Sequence, residues 1–185
     1  RRHFLRNLRE TGVPPGLIHC ACTELADLPG QGHLLDAKWK AALRFKLSHV
    51  AEGAEGLPEG AYGVFADVDV AAACPGSLER LVSWAAASGR DVVWMRELEG
   101  EAVPNSGFFV FRGSARTRRF FRAALAVYDT LGGGASRGAA GDEFGDQTAV
   151  LFLLKGPEGE AYADLAGVSR PLSWTVFPLH LVAGG

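Results

Sequence analysis

The chain has 185 residues, 48% of them hydrophobic, which is enough to bury a proper core and points to one domain spanning residues 1–185. Nineteen basic residues against 21 acidic ones leave no strong field over the surface, and this excludes nucleic acid or an anionic membrane as an electrostatic partner. No apolar run reaches the roughly 18 residues of a bilayer span, so no membrane segment is expected in this chain.

The opening Arg1-Arg2-His3-Phe4 is basic, lacks Met and is not followed by an apolar signal core, and reads as the start of an excised or processed segment. Phe4, Leu5 and Leu8 have helical spacing, and Thr11 to Gly16 must stop that helix. Leu17 to Cys22 is a short apolar run bounded by turn residues, as in a strand covered on both faces. Cys20, Cys22 and Cys74 have neither disulfide nor zinc spacing and are read as small buried hydrophobes. Asp36 is placed to cap a helix that carries Trp39, Leu43, Phe45, Lys46, Leu47 and Val50 and ends in the stretch Gly53 to Gly60.

A second strand is expected at Tyr62 to Phe65, then a helix capped by Ser77 and closed by Gly89, then a strand over Asp91 to Met95. Gly107 to Phe111 reads as a buried strand, and Ala115 to Leu131 as a helix with a solvated basic face of Arg116, Arg118, Arg119 and Arg122. Gly132 to Gly145 is rich in Gly, Ala and Ser and is read as a loop, either over a site or as plain linker. Gln147 to Leu154 can form a helix, and Trp174 to Val182 an extended segment that Pro178 keeps from a central position. Alternating strands and helices imply an α/β fold with a mostly parallel central sheet flanked by helices, with ligands beyond the carboxyl ends of the strands.

Asp67-Val68-Asp69 directly follows an apolar strand. Two carboxylates two residues apart in extended chain point the same way, and a hard divalent cation, Mn²⁺ or Mg²⁺, relieves their repulsion. Solvated acids at a strand end are the plain alternative. Asn105-Ser106-Gly107 opens a strand, where Gly permits close approach of a ligand and Asn offers donors and an acceptor to sugar hydroxyls, unless it is simply a turn. Asp146-Gln147 stands at a helix start, where Asp is also an ordinary N-cap. His180 lies late in the chain, where an imidazole can complete a metal sphere or contact phosphate, or fill a surface position.

With Lys46 and the longer strings Val64 to Asp69, Asn105 to Arg112 and Asp146 to Val150, these motifs resemble the nucleotide-diphospho-sugar transferase family of GT-A type, which includes plant and algal arabinosyl-, xylosyl- and galactosyltransferases. The similarity spans residues 1 to 155 and, more loosely, 174 to 185. It implies a GT-A-like fold with a Rossmann-like nucleotide-sugar core, lacking the family's first strand, and a UDP-sugar donor with Mn²⁺ or Mg²⁺. It also implies a glycan or glycoprotein acceptor, retention of configuration, and the Golgi lumen as location in a eukaryotic source. By the same resemblance, Asp67, Asp69 and His180 hold the metal, and Lys46, Asp67, Asn105, Ser106, Gly107 and Asp146 bind the donor. Asp146 and Gln147 act on the transferred sugar. Departures follow the metal motif, where Val70 to Pro75 keeps only the family's Pro. Two other readings compete: a non-catalytic nucleotide- or sugar-binding module, and a haloacid-dehalogenase-like phosphohydrolase. The second lacks a Lys between Lys46 and Lys155, where such enzymes keep one between their acidic motifs.

Overall fold

A computed structural model describes residues 2–12, 18, 34–67, 70, 75–97, 102–132, 145–155, 172–178 and 181. The expected strand at 17–22 apart from Ile18, the three cysteines, Asp69, His180 and the loop 133–144 lie outside the described residues. The elements are helix α1 (Arg2–Glu10), α2 (Leu34–Gly56), strand β1 (Tyr62–Ala66), α3 (Ser77–Ser88), β2 (Val92–Arg96), β3 (Pro104–Arg112), α4 (Ala115–Val127), a π-helical turn (Tyr128–Gly132), α5 (Asp146–Lys155) and β4 (Trp174–Val176). They fall into two compact units. The first comprises Arg1–Cys20, Leu57–Gly113 and Ser173–Gly185, and the second Ala21–Gly56 and Ser114–Leu172.

The first unit holds a four-stranded sheet in the order β1-β3-β2-β4. β3 pairs antiparallel with both β1 and β2, and only β4 pairs parallel with β2, so the sheet is mixed rather than mostly parallel. The reason is the link between β2 and β3. Residues 97–103 are too few for the dozen or so that a parallel crossover needs, so β3 must return as a hairpin, closed by Glu97 N–H to Val103 C=O at 2.8 Å. β1 and β2, joined through α3, still run the same way with β3 inserted between them, as in a split β-α-β unit.

One sheet face buries Val93, Phe108 and Val110 against Leu81 and Ala85 of α3, with Phe177 joining from beyond β4. On the other face, Phe109 stacks on Phe65 at 5.1 Å between ring centroids and tilts against Trp94 at 4.5 Å. Gly63, opposite Phe111 in the register, leaves room for that ring to lie across β1. α3 starts after Gly76, with Ser77 as its first residue rather than its cap, and ends as expected at Gly89, whose φ of 65° closes the helix through a bond to Ala86 C=O. α1 stops at Thr11, whose hydroxyl donates to the Asn7 and Leu8 carbonyls, and Gly12 turns the chain at φ 90°.

The second unit packs α2, α4 and α5 together. Buried Ala51 and Ala54 of α2 and Ala123 and Ala124 of α4 keep the side chains short along these helices. Asp36 is the third residue of α2 and not its cap, and the helix runs on through Gly53 to Gly56 before Leu57-Pro58. Ser114 caps α4 by accepting from Thr117 N–H at 3.1 Å. The basic face of α4 is not merely solvated: Arg118 donates to Ala54 C=O at 3.2 Å and Arg122 pairs with Glu55 at 2.8 Å, both in the last turn of α2. The four last carbonyls of a helix lack internal partners, so a guanidinium there is well matched.

Candidate functional site

In the first unit, the antiparallel return of β3 decides what meets at the end of β1. The carboxyl ends of β1 and β2 and the amino end of β3 lie at one edge of the sheet. A parallel β3 would have sent Asn105 to the opposite edge from Asp67. Asp67 N–H extends the ladder by donating to Gly107 C=O at 2.8 Å. The Asp67 side chain folds over Gly107, and so does the Asn105 amide: a Cβ built on Gly107 would stand 3.2 Å from Asp67 Oδ2 and 2.9 Å from Asn105 Oδ1. A side chain at position 107 would displace these two oxygens from the space they occupy.

Asn105 Oδ1 accepts from Gly107 N–H at 2.7 Å, the two-residue bond by which Asn shapes a local turn, and it falls where the β2–β3 register shifts between Trp94 and Met95. Asn105 Nδ2 donates to the Glu97 carboxylate. Glu97 was not among the residues expected at the site. Its signal was available, since a hairpin link that short returns its first residue beside the start of β3. Ser106 is not brought to this group. Burial alternates from Pro104 to Phe108, placing Ser106 at 7% exposure on the face opposite Asn105 and Gly107.

Asp69 and His180, two of the three expected metal ligands, lie outside the described residues. Among the described residues no group of three or more His, Cys, Asp or Glu side chains gathers as a metal site. Of the three expected ligands, Asp67 alone is described, and it stands directly after β1.

The second unit brings Lys46 and Asp146 together. Lys46 Nζ on α2 lies 2.7 Å from Asp146 Oδ2 on α5, with the two side chains only 16% and 10% exposed. Asp146 is therefore not the cap of α5 but its first residue, with Gly145 in the capping position, and its carboxylate is committed to Lys46. Gln147, next along α5, is half-buried. Beside them Tyr128 is buried and donates its hydroxyl to Lys40 C=O at 2.9 Å; burial first, then the charges of Asp146 and Asp129, push its pKa up to about 12. Arg44 grips Asp129 with two bonds of 2.7 and 2.9 Å. The π-helical turn that carries Tyr128 and Asp129 thus holds the α2 segment from Lys40 to Arg44, next to Lys46. None of these three partners was legible from local pattern, because they join residues more than 80 positions apart.

No helix among the described residues is long and apolar enough to cross a membrane. Comparison of the chain with protein-family models, with curated proteins and with solved structures finds no match.

Proposed function

We propose that the chain is a metal-dependent glycosyltransferase of GT-A type with a Rossmann-like donor core, moving a sugar from a nucleotide-diphosphate donor, UDP-sugar first, to a hydroxyl of a glycan or glycoprotein. One observation carries the reading: the Asp67 carboxylate and the Asn105 amide converge over Gly107 at the end of β1. A carboxylate beside a turn-held amide offers charge and hydrogen bonding to a polyhydroxylated ligand.

Asp67 and Asp69, two carboxylates two residues apart, are the residues assigned to hold Mn²⁺ or Mg²⁺, with His180 as a third ligand. When bound, such an ion neutralises the charge that grows on the departing diphosphate. The Asp67 backbone is held by its N–H bond to Gly107 C=O, which places its carboxylate at the end of β1. Asn105 addresses sugar hydroxyls. In the second unit, the 2.7 Å pair with Lys46 fixes the orientation of the Asp146 carboxylate, and Gln147 follows it on α5. In a eukaryotic source the reading assigns the enzyme to the Golgi lumen.

The test is calorimetric titration of UDP with Mn²⁺ present and with EDTA, followed by donor hydrolysis across a panel of UDP-sugars. The wild type should bind UDP only with Mn²⁺, and Asp67→Ala should weaken that binding roughly tenfold or more, the scale of one lost charge-assisted contact. Asp67→Ala with wild-type affinity and metal dependence sinks the assignment. Binding without hydrolysis of any donor favours a non-catalytic module, and hydrolysis of an aryl phosphate with none of nucleotide sugars favours a phosphohydrolase.

A further inference from the structure

An amide side chain has an acceptor end and a donor end of nearly the same shape, so its neighbours decide which end faces a ligand. At Asn105 two neighbours make the same demand. Gly107 N–H needs an acceptor and receives Oδ1 at 2.7 Å, while the Glu97 carboxylate can only accept and receives Nδ2. Turning the amide over would set oxygen against carboxylate and NH₂ against N–H. The Glu97 backbone bond to Val103 C=O would form with almost any residue at position 97, so the choice of Glu is explained by its side chain alone.

From this geometry we infer that Glu97 is a positioning residue: it locks the Asn105 amide so that the remaining N–H of Nδ2 is presented as a donor beside the acceptor carboxylate of Asp67. A donor next to an acceptor matches the hydroxyl groups of a sugar, which give and take hydrogen bonds, and not the phosphate groups, which only accept at neutral pH. The ligand read by the Glu97–Asn105 pair is therefore the sugar half of the donor. This half of the inference rests on the glycosyltransferase reading; the locking of the amide does not.

Two readouts separate them. The side-chain NH₂ signals of Asn105, assigned by their loss in Asn105→Asp, report the lock in the ligand-free protein by ¹⁵N NMR. Glu97→Ala should shift that pair strongly, and Glu97→Gln, whose own amide oxygen can accept, should restore it. With Mn²⁺ present, Glu97→Ala should weaken UDP-sugar binding about tenfold while UDP itself changes less than about twofold, and Glu97→Gln should recover most of the loss. Because Glu97 is exposed, thermal melts of both variants should match the wild type. Unchanged Asn105 signals in Glu97→Ala overturn the lock. Equal loss of UDP and UDP-sugar affinity, or a Glu97→Gln variant as weak as Glu97→Ala, overturns the sugar-reading role. A wild type that binds no UDP-sugar overturns the donor reading and the ligand half of this inference with it, leaving the NMR comparison to decide the lock alone.

Discussion

Gly107 and Gly113 lie on and just after the same strand, and both lack room for a side chain, but what fills the space differs. At Gly113 an added Cβ would stand 2.2 Å from the Pro58 carbonyl oxygen, which is backbone and is held by the bonds that stitch residues 60 and 61 to 113. At Gly107 it would meet the ends of two side chains, Asn105 and Asp67, which can swing away. Gly113→Ala should therefore cost about 3 kcal/mol or more and Gly107→Ala only about 1 kcal/mol, by the usual scale for overpacking. Metal-dependent UDP binding should rank the other way, because Gly107→Ala evicts the site oxygens and Gly113→Ala leaves them alone. Denaturant melts with parallel UDP titrations check both orders at once, and a Gly107→Ala protein that binds UDP normally would remove the significance given to the cradle. The same residues show what can be read from a chain one letter at a time. Asp67, Asn105 and Gly107 were visible because an acid after an apolar run and an Asn-x-Gly before one mark strand ends. Ser106, between Asn105 and Gly107 on the strand, faces the other way.

At the scale of elements, the positions of β1, β2, β3, α3 and α5 followed from hydrophobic periodicity and Gly punctuation, whereas the direction of β3 did not. The deciding quantity was the length of the β2–β3 link, and counting it would have given the hairpin, the mixed sheet and Glu97 together. Helix pairing was less accessible. Lys46 faces Asp146 across 100 positions, and nothing local in α2 or α5 announces it. That pair makes an element-scale prediction. Removing one partner leaves the other charge mostly buried, so Lys46→Met should destabilise the second unit by about 3 kcal/mol. Replacing both partners, Lys46→Met with Asp146→Leu, should return stability to within about 1 kcal/mol of wild type, since an apolar pair of similar size needs no compensating charge. Part of the shortfall belongs to the first turn of α5, where Asp146 also meets the positive end of the helix and is worth about 0.5 kcal/mol. A double variant that simply adds the losses of the two singles would show that the ion pair carries no coupling.

For the whole molecule, the consequential fact is that the first unit is assembled from three stretches of chain, the last of which arrives after the second unit has been traversed. That last stretch is not a trimming. Ser173 N–H binds the Asp91 carboxylate at 2.9 Å, Asp91 N–H returns to Ser173 C=O at 2.8 Å, and β4 then pairs with β2 along Val92 to Trp94. Phe177, fully buried, completes the core against Trp84 and Phe108 with ring centroids 5.6 and 6.1 Å away. Phe177→Ala should cost about 3 to 5 kcal/mol, the range for emptying a buried aromatic site. How that cost divides between rates is the sharper question. Closing the 59-residue gap between Gly113 and Ser173 loses entropy before any contact of β4 repays it, so the strand should dock after the rest of the sheet has formed. Interactions absent from the transition state act on unfolding, so Phe177→Ala should accelerate unfolding and leave the folding rate nearly unchanged. Stopped-flow fluorescence resolves this in a Trp39→Phe background, which removes the exposed tryptophan of the second unit and leaves Trp84, Trp94 and Trp174 to report on the first. If the folding arm slows in proportion to the lost stability, the carboxyl-terminal strand belongs to the nucleus, and the sheet cannot form ahead of it.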